Sequence, residues 1–211
     1  MSVIVKICGL ATEASLDAAL GHGADMAGFV FFDKSPRHVS LELAANLGRR
    51  AANRACKVLV TVDAGDALLA AAIKALDPGL LQLHGNETVK QCTELKEKGL
   101  GVIKVFSIAN DFDFQETNLY EKVADYFLFD TKSESYGGTG KTFDWRLLNN
   151  YNKHIPFFLS GGLSAANIDE AIQLKDMSLY ALDVNSGVEI SPGLKDIDKI
   201  RDIKNILTSN S

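Results

Sequence analysis

Short apolar segments alternate with longer helix-like segments along the chain, about eight times. The apolar segments are rich in β-branched and aromatic residues, which is typical of strands buried in a parallel sheet. The alternation therefore predicts repeated βα units. The predicted strands are VIVKIC (3–8), MAGFVFF (26–32), KVLVTV (57–62), LLQLH (80–84), GVIKVFS (101–107), DYFLFD (125–130), IPFFLS (155–160) and LYALDVN (179–185).

The segments between these strands carry Ala, Leu, Glu and Lys at helical spacing, and several begin with a Ser, Thr or Asp cap. Helices are predicted in TEASLDAALGHG (12–23), SLELAANLGRRAA (40–52), DALLAAAIKAL (66–76), ETVKQCTELKEKG (87–99), SAANIDEAIQL (164–174) and DIDKIRDIKNIL (196–207). A further helix is predicted within NDFDFQETNLYEKVA (110–124), where the helical pattern is weakest.

Eight βα units in 211 residues leave roughly 26 residues for each, near the lower limit for a closed (β/α)₈ barrel. A doubly wound open sheet is the main alternative. The barrel is favoured because no Gly-rich dinucleotide motif follows the first strand and polar residues end nearly every strand. No linker rich in Pro, Gly or Ser interrupts the pattern, so we predict an α/β protein with a single TIM-barrel domain over residues 1–211.

Composition narrows the classes of function. The chain is 46% hydrophobic and 23% charged, with a net charge of −5 and no long basic cluster, so a nucleic-acid partner is not expected. Its three cysteines lie far apart and form no CxxC motif, which fits a reducing cytoplasm rather than a disulfide framework. No apolar run of 18 residues occurs, so no membrane partner is expected either.

Two polar residues stand where strands end. Cys8 closes the first strand and Asp130 closes the sixth, and in α/β barrels this is where reactive groups collect. Side chains two apart share a face of a strand, so Lys6 and Cys8 point into the barrel, and a nearby cation can lower the pKa of a thiol. A buried structural cysteine and a capping aspartate are the ordinary alternatives for these two residues.

Phosphate binding is predicted from two loops. Gly161 and Gly162 follow the seventh strand just before a predicted helix, and Ser186 and Gly187 follow the eighth. Backbone amides of such loops approach anions closely, and barrel enzymes commonly hold a phosphate at this position. Ordinary tight turns would give the same glycines.

Other residues of the expected pocket are less distinctive. Arg37, in the loop after the second strand, offers a planar fork for a carboxylate. His84 ends the fourth strand on its inner face, and Asp183 ends the eighth, so both are candidates for substrate binding. The long polar segment after the sixth strand, with Gly137 and Gly138, is typical of a loop that closes over a ligand. The histidines show no metal-ligand spacing, so no metal is predicted.

The chain resembles the phosphoribosylanthranilate isomerase family of tryptophan biosynthesis. The resemblance rests on KICGL at 6–10, GFVFFDKSPRHVS at 28–40, QLHG at 82–85, FDTK at 129–132, GGTGKTFDW at 137–145, LSGGL at 159–163 and DVNSGVE at 183–189. It extends from the first strand to the segment after the eighth. Any one of these motifs could arise by chance, but the ordered set is specific.

The resemblance implies a (β/α)₈ barrel that performs an Amadori rearrangement on a phosphosugar without a metal or an organic cofactor. It implies that Cys8 is the general base, that Asp130 is the general acid and that Arg37 binds the anthranilate carboxylate. It also implies that the phosphate binds at Gly161, Gly162, Ser186 and Gly187.

Two other functions remain open at this point. One is the related histidine-pathway isomerase, which is expected to use carboxylates for both proton transfers and so does not match Cys8. The other is a noncatalytic barrel that binds a phosphosugar. A monomer is expected because no long amphipathic extension is present, and a homodimer is the alternative.

Overall fold

A computed structural model describes residues 3–132 and 142–209 and contains one closed barrel of parallel strands. Each strand pairs with the next in the chain, and β1 pairs with β8 to close the barrel. The strands are β1 (Ile4–Ile7), β2 (Met26–Phe31), β3 (Cys56–Thr61), β4 (Leu80–Leu83), β5 (Gly101–Ile108), β6 (Tyr126–Thr131), β7 (Phe157–Leu159) and β8 (Leu179–Val184). Each overlaps a predicted strand, so the predicted (β/α)₈ fold is confirmed.

Helices surround this barrel and occupy most of the predicted segments. They are α1 (Glu13–Gly21), α2 (Leu41–Ala51), α3 (Asp66–Leu76), α4 (Val89–Glu97), α5 (Ile168–Ala171) and α6 (Ile197–Ser209). The Thr88 side chain accepts from the backbone N–H of Gln91, and the Gln91 side chain accepts from the backbone N–H of Thr88. This capping box satisfies two of the donors that a helix start leaves without partners. Within the described ranges, no helix is long and apolar enough to cross a bilayer.

Two predicted helices are largely replaced by 3₁₀ turns. After β5, residues Phe114–Tyr120 form a 3₁₀ helix in which the Thr117 hydroxyl donates to the Phe114 carbonyl at 2.7 Å. Such local side-chain bonds compete with regular α-helix geometry. After β7, α5 has four residues and a 3₁₀ segment follows it at Ile172–Met177.

Some further elements were not predicted. Residues Trp145–Asn150 form a 3₁₀ helix between β6 and β7. An antiparallel hairpin of β9 (Glu189–Ser191) and β10 (Leu194–Lys195) follows β8. The hairpin is too short to show the alternation by which the longer strands were recognised.

The strands separate two apolar cores. The larger lies between barrel and helices and contains Phe127 and Phe129. The smaller fills the barrel interior and contains Leu128, Phe158 and Cys8. Residues of opposite parity therefore face opposite cores, which directs the inward-facing side chains at the strand ends into one mouth.

Candidate active site

Cys8 lies at the C-terminal end of β1, facing the barrel interior. Its backbone N–H donates to the carbonyl of Val184 at 2.9 Å, which continues the β1–β8 ladder, and its side chain is a free thiol. Gly28 on β2 leaves room for it, because a Cβ at residue 28 would stand 3.0 Å from the Cys8 sulfur. The thiol lines a cavity of about 80 Å³ at the barrel mouth.

The electrostatics of Cys8 differ from the prediction. Burial raises the pKa of the thiol, and the charges of Lys6 and Lys195 lower it by less, so the net pKa lies above the usual thiol range. Lys6 does lower the pKa of Cys8, as predicted. The net pKa is nevertheless raised, because loss of hydration penalises the thiolate more strongly than Lys6 stabilises it. Lys6 is also paired with Asp183, whose negative charge raises the pKa of Cys8 further.

Asp130 ends β6 and lines the same cavity as Cys8. One carboxylate oxygen, Oδ1, accepts from the backbone N–H of Thr131 at 2.8 Å. The other, Oδ2, lies 3.4 Å from Nε2 of His84. The carboxyl is mostly buried but keeps an open side toward the cavity, where 16% of the side chain is exposed. The structure therefore brings together the two groups that the sequence predicted as partners.

Lys6, Gln82 and Asp183 form a buried polar group under the mouth. The ammonium of Lys6 donates to Asp183 Oδ1 at 2.9 Å and to Gln82 Oε1 at 2.8 Å. Lys6 is fully buried, and the net effect of its surroundings raises its pKa, because Asp183 and Cys8 together outweigh the cost of burial. Asp183 reaches the cavity, as predicted, but part of its carboxylate is occupied by Lys6.

The same group orients His84. An ammonium can only donate, so the Gln82 atom that faces Lys6 is the amide oxygen, and its NH₂ faces His84 Nδ1 at 3.1 Å. Because that NH₂ also only donates, Nδ1 must accept, and the ring proton lies on Nε2. His84 therefore carries its ring proton on the nitrogen that lies 3.4 Å from Asp130 Oδ2.

Arg37 lines the cavity and lies against Gly9, where a Cβ would stand 2.6 Å from Arg37 Cδ. Its guanidinium is paired with Glu189: Nε donates to Oε1 at 2.9 Å and Nη2 donates to Oε2 at 2.7 Å. The ammonium of Lys195 donates to the same carboxylate at 2.8 Å. The sequence placed Arg37 at the site but did not foresee this ion-pair network.

A second cavity, of about 40 Å³, adjoins the first and is lined by Gly161, Gly162 and Ser186, as predicted for a phosphate site. Both glycines have positive φ, and a Cβ at residue 161 would overlap Thr131. Gly187 does not line this cavity. It lies against the Leu163 carbonyl oxygen, which a Cβ at residue 187 would meet at 1.9 Å.

The helix predicted to begin at Ser164, just after Gly162, begins later in the structure. The Asn167 side chain accepts from the backbone N–H of Ser164 and donates to the carbonyl of Gly162, which holds the segment as a turn. The helix α5 begins only at Ile168 and is four residues long. Loop amides, rather than a helix N-terminus, are therefore the donors that this side of the cavity offers.

The two cavities share the lining residues Asp130, Ser160, Asp183 and Asn185, so they form one continuous site. A larger cavity of about 610 Å³ borders it at His84 but contains neither Cys8 nor Asp130. In the part of the chain that the structure describes, no cluster of three or more His, Cys, Asp or Glu residues could hold a metal ion. The predicted closing loop with Gly137 and Gly138 lies mostly in residues 133–141, outside the described residues.

The protein is a (β/α)₈ barrel with a small-molecule site at its C-terminal face. The site is formed by reactive side chains at the strand ends and by the glycine loops after β7 and β8. Comparison of the sequence with family profiles matches residues 5–205 to the N-(5'-phosphoribosyl)anthranilate (PRA) isomerase family. The chain belongs to this family and is an isomerase.

Curated relatives support the same assignment. The N-(5'-phosphoribosyl)anthranilate isomerase of Nitrobacter winogradskyi is 49% identical over 207 residues, which cover 96% of this chain and 91% of that protein. The corresponding protein of Nitrobacter hamburgensis is 50% identical over 207 residues, with the same shares covered.

Among solved structures, the phosphoribosyl anthranilate isomerase of Thermotoga maritima superimposes with a TM-score of 0.89 at 34% identity, covering 98% of this chain and 99% of that one. A phosphoribosyl anthranilate isomerase in complex with reduced 1-(o-carboxyphenylamino)-1-deoxyribulose 5-phosphate gives a TM-score of 0.85 at 30% identity, covering 98% and 99%.

Glu189, Lys195 and Asn185 were missed as site residues. Glu189 and Asn185 stand inside the DVNSGVE motif, which could have drawn attention to them. Lys195 lies in no such motif, and its ammonium reaches Asn185 and Glu189 only because the β9–β10 hairpin folds back.

Proposed function

We propose that Cys8 and Asp130 are the general base and the general acid of this isomerase. The reaction is that of the family, an Amadori rearrangement of N-(5'-phosphoribosyl)anthranilate to 1-(2-carboxyphenylamino)-1-deoxyribulose 5-phosphate in tryptophan biosynthesis. The observation that carries the assignment is that both side chains line one small cavity, and that a glycine-lined cavity adjoins it.

In the proposed mechanism, protonated Asp130 gives its proton to the ribose ring oxygen, and the C1'–O bond breaks to leave an iminium ion. The iminium acidifies C2', and the Cys8 thiolate takes the C2' proton to leave an enolamine. The enolamine then tautomerises to the aminoketone, which has the same atoms as the substrate. Cys8 ends protonated and Asp130 ends ionised, so proton exchange with water resets both groups.

Substrate binding in this proposal uses the rest of the site. Loop amides at Gly161, Gly162 and Ser186 face the phosphate, and Gly187, which does not line that cavity, allows its loop to approach Leu163. Arg37 binds the anthranilate carboxylate. Nε2 of His84 lies 3.4 Å from Asp130 Oδ2, and Asp183 contacts the sugar from beside Lys6.

The test is to purify Cys8→Ser and Asp130→Asn, confirm that both melt like the parent protein, and follow the loss of substrate fluorescence. Each positioned acid or base is typically worth ~10² to 10⁴ in rate, so kcat should fall by that factor in either variant. Activity near that of the parent in one variant removes that residue from the mechanism.

The alternative of a noncatalytic phosphosugar barrel makes a different prediction for the same material. It requires calorimetric binding of the phosphoribosyl anthranilate without turnover. The family assignment and the paired acid and thiol both favour an enzyme.

We propose further that the partner of this chain is the small phosphosugar alone, that the chemistry uses side chains without a metal or organic cofactor, and that the protein works in the cytoplasm.

We propose that the protein is a monomer. The isomerase of Thermotoga maritima is described as dimeric, with monomers generated from it, so a homodimer is the alternative, and gel filtration with light scattering distinguishes the two.

A further inference from the structure

Glu189 is a buried carboxylate that the proposed mechanism does not use. Its Oε1 accepts from Arg37 Nε at 2.9 Å, from the Gly193 backbone N–H at 3.1 Å and from Lys195 Nζ at 2.8 Å. Its Oε2 accepts from Arg37 Nη2 at 2.7 Å. Oε1 therefore receives three hydrogen bonds and Oε2 receives one, so four donors hold the carboxylate in place.

The surroundings of Glu189 keep it ionised, so it is not suited to carry a proton. Burial would raise its pKa, but the hydrogen bonds and charges of Arg37 and Lys195 outweigh burial and hold the pKa below its usual range. The carboxylate therefore stays ionised and occupied, so its function has to be exerted through the groups that it holds.

The guanidinium of Arg37 has two edges that can each bind a carboxylate. Glu189 takes the edge formed by Nε and Nη2. The edge formed by Nη1 and the second hydrogen of Nη2 remains, and the group is planar, so the position of the first carboxylate sets the plane and direction of the second edge. On one side the stem of the side chain lies against Gly9, where a Cβ would stand 2.6 Å from Arg37 Cδ.

The charges of this buried group also indicate that Glu189 orients Arg37. Arg37, Glu189 and Lys195 are all buried, with two positive charges and one negative. The net positive charge of the group is left for an anion in the adjoining cavity that Arg37 lines. Without Glu189, the two cations would repel each other, and the guanidinium would lose its orientation.

We propose that Glu189 is a positioning and specificity-determining residue, which aims the free edge of Arg37 at the aromatic carboxylate of the substrate. The inference rests on the proposed role of Arg37. Its consequence is that Glu189 contributes to binding only when the ligand carries that carboxylate.

The experiment compares two ligands by calorimetry: reduced 1-(o-carboxyphenylamino)-1-deoxyribulose 5-phosphate, and the phenylamino analogue that lacks the carboxylate. Hydrogen bonds to charged groups correspond to roughly 10- to 100-fold in affinity, so the parent protein should prefer the carboxylated ligand by about that factor. In Glu189→Gln, this preference should fall about tenfold. The affinity for the analogue should stay unchanged.

Glu87→Gln is the matched control. Glu87 pairs with Lys104 at 2.9 Å, and the two side chains are 5% and 4% exposed, against 5% and 0% for Glu189 and Lys195 at 2.8 Å. Both variants break a buried Lys–Glu pair and should lower Tm. Only Glu189→Gln should change the ratio of the two affinities, and in kinetics it should raise KM with little change in kcat.

Arg37→Ala separates the two possible failures. If the parent protein binds both ligands equally and Arg37→Ala leaves KM unchanged, the proposed role of Arg37 is wrong. If Arg37→Ala abolishes the preference but Glu189→Gln keeps it, the role of Glu189 alone is wrong. Under our inference, Glu189→Gln added to Arg37→Ala changes the ratio no further.

Discussion

The barrel interior has a lower part, at the N-terminal ends of the strands, and an upper part, at their C-terminal ends. The two parts are built on the same strands but differ in polarity. The lower part is filled by an aromatic cluster in which Tyr126 and Tyr180 have ring centroids 4.4 Å apart and Phe158 stands edge-on to Tyr126 at 5.5 Å. The upper part holds the ammonium of Lys6 with Asp183 and ends at the open cavity.

This difference shows that the packing that stabilises the barrel and the charged groups of the site lie at opposite ends of its interior. Burial raises the pKa of Tyr126 to about 12, so the lower part stays uncharged and well packed. In the upper part, burial also raises the pKa of Cys8, but Lys6 and Lys195 oppose it. Charged groups are present there because a reacting anion has to be bound and deprotonated, although each buried charge needs a partner.

Lys6→Met should give the largest effect, because it removes the cation and leaves the Asp183 carboxylate buried without its partner. Breaking a buried pair in this way typically lowers the free energy of unfolding by ~3 to 5 kcal/mol. We expect kcat to fall as well, since the thiolate of Cys8 loses a nearby positive charge. Denaturant unfolding and steady-state kinetics measure the two effects.

Lys6→Met combined with Asp183→Asn separates those two effects. The double variant should recover part of the stability, because no unpaired charge remains, but not the rate. A fully active Lys6→Met protein would mean that the upper polar group serves packing only.

Phe158→Ala tests the lower part. Removing a buried aromatic ring typically costs ~3 to 5 kcal/mol in unfolding free energy, and Phe158 packs against both tyrosines. Because this side chain does not line the catalytic cavity, the kcat of the folded fraction should stay at the parent value. A large loss of kcat at a temperature where the variant is folded would show that the two depths are not separable.

The pH profile gives the smallest but most specific effect. In the proposed mechanism two groups set this profile, because Asp130 must be protonated and Cys8 must be ionised. In Asp130→Asn only Cys8 titrates, so the residual kcat/KM should increase by up to about tenfold per pH unit below the raised pKa of the thiol and level off above it. When Cys8→Asp is added to Asp130→Asn, the base is a carboxylate that ionises far lower, so this limb should disappear; an identical limb in both variants would assign it to another group.

Local pattern was sufficient for most of the fold. Each observed strand lies in a short buried run of the sequence, and its first residue is within two residues of the predicted first residue. The segments after β5 and β7 were less predictable, because hydrogen bonds from Thr117 and Asn167 side chains override a helical composition. The β9–β10 hairpin had no periodic signal at all.

The sequence by itself determined which residues face inward at the strand ends, since side chains alternate along a strand whatever surrounds it. It thereby identified Cys8, Asp130 and the glycine loops. Only the tertiary structure decided which charges meet: Lys6 with Asp183 through closure of β1 on β8, and Arg37 with Glu189 across 152 residues. It also decided that burial outweighs the cations at Cys8, because hydration and Coulomb energies depend on distances in space and not on order along the chain.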